Sequence, residues 1–273
     1  MDKRYLNDKK ENLKIISILG YDRSGTTFLG SYLKTLNPSI FFAGEIDKGL
    51  DHFFKGTIKN CTCGKPLNQC PVWGEILPDV DRDNPNIHRI FEKINDLTGA
   101  EIIVDSSKKL NFIKKIKDDF ANEFYSIRVI RNPKAVIASR TKIRKSRVER
   151  GTHPKPHIAS KYYMMSIYDS LEWSFYNLKL EKLKSKQGNI DLTYDLFSED
   201  LDEKIKNFFI QNELNGNGIK QIENHIIWGN KGRLNFNPTI VINRSWSKNM
   251  KWFYKFSIDI ITFPTRIIMG YKF

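Results

Sequence analysis

The 273-residue sequence predicts an α/β fold of three layers, with a central parallel β-sheet flanked by helices. Three observations predict it. Short β-branched apolar runs alternate with longer segments whose apolar residues recur at helical spacing. The first such run passes through a glycine turn directly into a helical pattern. A composition 40% hydrophobic, with 18 Phe, 11 Tyr and 5 Trp, is rich enough to fill a core between layers, which excludes a disordered or collagen-like chain.

The elements follow in order. Leu13 to Leu19 (LKIISIL) is apolar and β-branched and stops at Gly20, as a buried strand does. Phe28, Leu29, Tyr32, Leu33 and Leu36 then mark a helix. Ser39 to Ala43, Glu101 to Val104 and Phe124 to Ile130 predict further strands, and between the last two Leu110, Ile113, Ile116 and Phe120 share one helix face. Pro133 suits a first helical position, with Asn132 as its cap. Tyr168, Leu171, Phe175 and Leu178 predict a long helix stopping near Gly188, and Leu192 begins a last short strand.

No repeat, low-complexity tract or boundary interrupts this pattern, so residues 1–273 are expected to form a single domain. Residues 46–85 and 141–160, poor in periodicity and rich in Gly, Pro, Cys or Arg, are expected as insertions over the ligand face. Residues 250–273 are expected as a C-terminal helical extension packed on the body; its aromatics beside Arg266 and Lys272 also suit a peripheral membrane contact.

Lys and Arg number 45 against 31 Asp and Glu, a net charge of +14 that favours anionic ligands. The surplus is uneven: from Arg140 to Lys161 eight basic residues face the single acid Glu149. The polar first residues contain no apolar signal core, and no run reaches the roughly 18 apolar residues of a membrane span. Three cysteines, Cys61, Cys63 and Cys70, make a disulfide framework a poor expectation, and a cytoplasmic setting follows.

The richest segment is Gly20-Tyr21-Asp22-Arg23-Ser24-Gly25-Thr26-Thr27. A strand, G-x-x-x-x-G and a helix make a P-loop-like turn whose backbone N–H groups can wrap a phosphate, aided by the helix dipole. A nucleoside triphosphatase needs Lys at the next position, where Thr26 stands; Arg23 supplies a cation from inside the loop instead. A second segment, Ile127 to Arg140 (IRVIRNPKAVIASR), puts Arg131 at the carboxyl end of a strand, where open α/β sheets bind ligands, and Ser139 two turns into the next helix. A guanidinium and a hydroxyl there can grip a second phosphate.

These two segments, RSGTTFL and RNPKAVIASR, resemble the 5′-phosphosulfate loop and the 3′-phosphate motif of sulfotransferases that use 3′-phosphoadenosine 5′-phosphosulfate (PAPS). Arginine in the first motif is similar to the carbohydrate-type and bacterial branches. Cys61 to Trp73 (CTCGKPLNQCPVW), Val104 to Lys108 and His225 to Arg233 fit the bacterial branch, so the resemblance spans residues 15 to about 246.

The resemblance implies an enzyme moving a sulfuryl group from PAPS to a hydroxyl or amine of a saccharide or glycolipid, leaving PAP. It assigns Arg23 and the N–H groups of Ser24, Gly25, Thr26 and Thr27 to the 5′-phosphosulfate, and Arg131 and Ser139 to the 3′-phosphate. Lys108, 23 residues before Arg131, falls to the transferred group or the leaving oxygen. Asn230 and Arg233 belong to a late loop closing on the nucleotide. Such chemistry is mainly positioning and charge stabilisation, as in phosphoryl transfer.

An acceptor hydroxyl needs a base, for which Glu45 after the second strand is the candidate and His52 the runner-up. The C-x-C-x₆-C spacing of the cysteines differs from paired C-x₂-C zinc sites, so a structural loop is expected, with zinc (His52 as fourth ligand) or a redox pair as alternatives. No catalytic metal is expected.

Three rival readings remain. A P-loop kinase with an atypical loop would need magnesium and ATP. A nucleic-acid module would bind through residues 140–161, but none of the motifs of such modules is present, so nucleic acid is not an expected partner. A catalytically silent protein of the same fold would bind PAP or another anion without turnover.

Overall fold

The computed structural model describes residues 13–57, 60–214, 223, 225–229, 236–240, 242 and 244–271. Its centre is a five-stranded sheet: β1 (Lys14–Leu19), β2 (Ile40–Gly44), β3 (Ile102–Asp105), β4 (Phe124–Ile130) and β5 (Gly188–Thr193), in the spatial order β2-β3-β1-β4-β5. Every pairing is parallel, with Ile16 opposite both Val104 and Tyr125. Parallel sheets need both faces covered, which is why these strands read as nearly unbroken apolar runs.

The strand period of two divides the core. Ile15, Phe41, Ile103 and Phe124 face one side, onto α3 (Ile87–Thr98) and the irregular stretch bearing Leu67, Trp73 and Ile76. Ile16, Ile18, Phe42, Val104, Ile127 and Val129 face the other, onto α1 (Thr26–Leu36) and α7 (Phe197–Gln211). Between these helices run α2 (Ile46–Phe54), α4 (Leu110–Asp119), α5 (Pro133–Glu149) and α6 (Tyr162–Glu181), and the last helix, α8 (Trp252–Ile268), packs on α5 and α6. The three-layer α/β architecture is therefore as the sequence predicts.

Four local differences are informative. Residues 141–149 are no loop: they are the second half of α5, and Arg140 and Arg144 turn inward to the fully buried Asp169 of α6. Part of the basic run is thus spent on an internal ion pair. The helix of Tyr168 ends at Glu181, well before Gly188, and its expected core stripe is outside: Tyr168 and Phe175 are 57% and 62% exposed while Trp173, Asn177 and Leu180 are buried. The Arg144–Asp169 pair fixes that rotation, because a carboxylate on the buried face needs its partner there. β5 begins at Gly188, four residues before Leu192. Helices α2, α3 and α7 also exist beyond those expected, α2 at the start of the stretch read as poor in periodicity; Ile87, Ile90, Phe91 and Ile94 carry the period of α3, Asn86 caps it through Arg89 N, and Gly99 ends it.

The topology positions the site. After β1 the chain leaves toward β2 on one side, and after β4 toward β5 on the other, so the loops following these adjacent strands diverge and leave a crevice at their carboxyl ends. Arg23 and Arg131 sit in those two loops.

Candidate functional site

The crevice is a cleft of about 700 Å³ lined by Asp22, Arg23, Gly25, Thr26, Thr27, Glu45, Lys48, His52, Lys108, Arg131, Arg147, Tyr194 and Trp228, with Phe28, Gly229, Phe236 and Asn237. Five basic side chains thus face two acidic ones, an imbalance that an anion would relieve.

The loop after β1 is held in an unusual shape. Arg23 is a non-glycine residue at φ 70° and Gly25 follows at φ 93°. The left-handed region costs a residue with a Cβ roughly 1–2 kcal/mol, so Arg23 must be held from outside. Arg131 does so, donating from Nη1 to the Arg23 carbonyl at 2.8 Å, while Arg23 Nε donates to Ser139 Oγ at 3.0 Å. At Gly25 a Cβ would lie 2.4 Å from the Tyr194 ring, so only glycine fits. Tyr194, just past β5, in turn carries the Arg131 guanidinium over its face at 4.4 Å.

Three features concentrate positive charge in this corner. Burial, then the neighbouring Arg131 charge, lower the pKa of Arg23, so two guanidiniums share a confined space. Arg131 Nε is buried and has no hydrogen-bond acceptor. Beside them α1 presents its N-terminus, the positive end of its dipole. Ser24 is buried, and its N–H donates to the Tyr21 carbonyl at 3.1 Å, closing the turn.

Lys108 occupies the floor. Its Nζ donates to Gly20 O at 2.9 Å and to Thr26 Oγ1 at 2.8 Å, so an ammonium from the far side of β3 reaches the position in the loop where the sequence lacks lysine. Burial lowers its pKa, opposed by the charges of Glu45 and Asp22. The backbone here is tied down by Asp47, whose Oδ2 accepts from Lys108 N (2.9 Å) and Lys109 N (2.7 Å), and by Tyr176, which donates to Lys108 O at 2.6 Å.

Glu45 lies at the mouth of α2, buried, with Lys48 Nζ 2.8 Å from its Oε2 and Asp22 3.0 Å from the same ammonium. Burial would lower the Lys48 pKa, but the two carboxylates outweigh it and raise it. His52 lines the cleft too, stacked on Trp228 with ring centroids 3.9 Å apart. Burial and Lys55 lower its pKa.

Of the residues the sequence singled out, Arg23, Gly25, Thr26, Thr27, Glu45, Lys108 and Arg131 meet in this one cleft, and Ser139 backs it through Arg23. Asn230 and Arg233 lie outside the described residues. Sequence reasoning passed over Asp47, Lys48, Tyr194 and Trp228. Tyr194 carried a usable signal, since it follows a strand at the ligand end of the sheet; Asp47 carried none, and Trp228 only its place in the His225–Arg233 segment, because their roles depend on contacts with residues 61 and 183 positions away.

No protein-family model matches this sequence, and no curated protein matches it either. Solved structures do. The sulfotransferase domain from the curacin biosynthetic pathway matches with a TM-score of 0.58 at 17% identity, over 95% of this chain and 98% of that one. Mouse sulfotransferase SULT7A1, complexed with PAP, matches with a TM-score of 0.55 at 11% identity, over 97% and 90% of the two chains. The chain has the P-loop-like α/β fold of sulfotransferases.

Proposed function

We propose that this protein is a PAPS-dependent sulfotransferase, moving a sulfuryl group to a hydroxyl or amine of a saccharide or glycolipid. The observation that carries the proposal is the junction of the two phosphate-type motifs: Arg23 Nε on Ser139 Oγ, Arg131 Nη1 on Arg23 O, and a buried Arg131 Nε left without an acceptor. The fold shared with sulfotransferases, one of them holding PAP, supports the same reading.

In this reading the N-terminus of α1 and Arg23 hold the 5′-phosphosulfate, and Arg131 and Ser139 hold the 3′-phosphate. Phe28 and Phe236, with ring centroids 5.5 Å apart beside the loop, offer apolar faces to the purine. Lys108 stands where negative charge builds on the leaving oxygen as the bond to sulfur breaks. A fixed donor in a dry site stabilises such charge without reorganising. Glu45 takes the acceptor proton; Lys48, bonded to it, orients the carboxylate. The acceptor enters beside His52 and Trp228, whose flat stacked pair suits the apolar face of a sugar ring. Asn230 and Arg233 are proposed to close over the nucleotide, as the sequence resemblance implies.

The lipid-linked version of the acceptor rests on the outer surface of α8. Trp252, Phe256, Ile260, Phe263 and Ile267 recur at helical spacing and are all more than half exposed. No described helix is long and apolar enough to cross a membrane. A stripe of this kind lies on a membrane surface rather than through it.

Calorimetric titration with PAP, and with ATP plus magnesium, tests the donor assignment. Tight PAP binding without metal is expected, followed by transfer from labelled PAPS to saccharides. Binding of ATP and magnesium with none of PAP favours the kinase reading and overturns this one. Cosedimentation with anionic vesicles, lost in Phe256→Asp, tests the membrane contact.

A further inference from the structure

Residues 60–77 form a lobe beside the sheet that the proposed chemistry does not use, and its three cysteines point at one place. Cys61 and Cys63 sit on a tight turn closed by Gly64 N on Cys61 O at 3.0 Å, with Gly64 at φ 84°. Cys70 follows the helical turn Leu67–Gln69. The fourth member comes from 155 residues away: His225 puts Nδ1 3.3 Å from Cys70 Sγ and 3.8 Å from Cys61 Sγ. The four ligand atoms all lie within 4.8 Å of one another. His52, the sequence's candidate for a fourth ligand, is elsewhere, stacked on Trp228 at the cleft.

We infer that Cys61, Cys63, Cys70 and His225 form a tetrahedral structural site for a zinc ion. With Zn–S near 2.3 Å and Zn–N near 2.05 Å, a regular tetrahedron sets its S···N edges at roughly 3.55 Å, and the two His225 contacts, 3.3 and 3.8 Å, lie on either side of that length. Three thiolates and one imidazole are a zinc donor set, and all three cysteines are free of disulfides.

The surroundings suit a bound metal. Trp73 N donates to Cys70 Sγ at 3.4 Å, a bond that tempers thiolate charge. The far ring nitrogen of His225, Nε2, lies 3.6 Å from Oε2 of the exposed Glu223. Trp73 Nε1 donates to His225 O at 2.5 Å, fixing the ligand's backbone. Cys61, Cys70 and His225 are buried, and their neighbours Phe41, Leu67, Val72 and Trp73 are apolar. A polar cluster inside apolar walls is costly unless something satisfies it. Metal binding would do so, the thiols releasing their protons to solvent.

The site has a structural consequence. His225 leads directly into Ile226, Ile227 and Trp228, which bind the lobe through Ile226 N on Thr62 Oγ1 (2.7 Å) and the sheet edge through Ile227 N on Ala43 O (3.0 Å). Glu45 N then donates to Trp228 O at 2.9 Å. The zinc ion thus clamps the strand-edge segment that carries Trp228 into the cleft and braces Glu45.

Metal analysis of the purified full-length protein tests the inference. One zinc per chain is expected, retained through dialysis against EDTA and released by a mercurial that titrates three thiols. Cobalt exchanged into the protein should show the intense visible bands of a tetrahedral thiolate site. Cys63→Ser, at the least buried ligand, should lower zinc retention at least tenfold, while His225→Cys should keep one equivalent and His52→Ala should leave the zinc content unchanged. Metal-free protein with an unchanged unfolding midpoint, or a Cys61–Cys70 disulfide in place of metal, would overturn the assignment. Zinc content is read without nucleotide, so a failure here is distinct from a failure of the donor assignment.

Discussion

Removal of Arg131 should weaken one part of a nucleotide and spare the rest. Its guanidinium is fixed by Arg23 O at 2.8 Å and by the Tyr194 face at 4.4 Å, and its buried Nε has no acceptor. A charge-assisted hydrogen bond from such a group to a phosphate contributes about 1.5–3 kcal/mol, so Arg131→Ala should raise the Kd of PAP about 10- to 150-fold. AMP lacks the 3′-phosphate and should lose only the support that Arg131 gives the Arg23 loop, about 1 kcal/mol or fivefold. The preference for PAP over AMP should therefore fall about 2- to 30-fold in the variant. Arg131→Lys, which keeps the charge without the fork, should fall between. Calorimetry with both nucleotides, alongside thermal unfolding to verify the fold, measures this. Equal losses for PAP and AMP, or no loss for PAP, would refute the assignment of Arg131 to a 3′-phosphate.

Lys108→Met should bind PAP nearly normally yet slow transfer from labelled PAPS about 10²- to 10³-fold, the usual cost of removing one preorganised donor to a developing oxyanion; a loss of PAP affinity at unchanged turnover would count against that role. Gly25→Ala should fold but bind PAP poorly, since its Cβ would meet the Tyr194 ring at 2.4 Å and push away the surface under Arg131; normal PAP affinity would show that the loop can give. Burial and the neighbouring Asp47 charge push the Asp105 carboxyl up to about 7. The folded chain then keeps a proton that the unfolded chain loses above about pH 4, so this group's stabilisation is complete below about pH 4 and fades toward pH 7. Asp105→Asn should remove that decline, gaining on the parent protein from pH 5 to pH 8 in urea unfolding; parallel curves would exclude Asp105 as its source.

The order of strands along the chain, the cap at Asn132 and the two phosphate-type motifs were legible because each is local: alternating apolar runs, a proline after an N-cap, a glycine loop between strand and helix. Arg23 and Arg131 were therefore legible in the sequence, Lys108 only through the family resemblance, and all three line the cleft. The rotation of α6 was not. Its apolar stripe at Tyr168 and Phe175 is exposed because Arg144 meets Asp169 on the opposite face, a pairing between helices that no single-helix pattern contains.

The same distinction governs the cysteines. Spacing alone left Cys61, Cys63 and Cys70 short of a ligand set, and the nearby His52 was the natural completion. Folding brings His225 there instead, because Ile226 and Ile227 follow the edge of β2 and draw the preceding histidine into the lobe. By itself the sequence determined which residues bear charge, which segments are strands, and which turns can wrap a phosphate, since those properties lie within a few covalent bonds. Only the tertiary structure decided which distant groups share one volume: Lys108 under the loop, Tyr194 under Arg131, and His225 among three thiols.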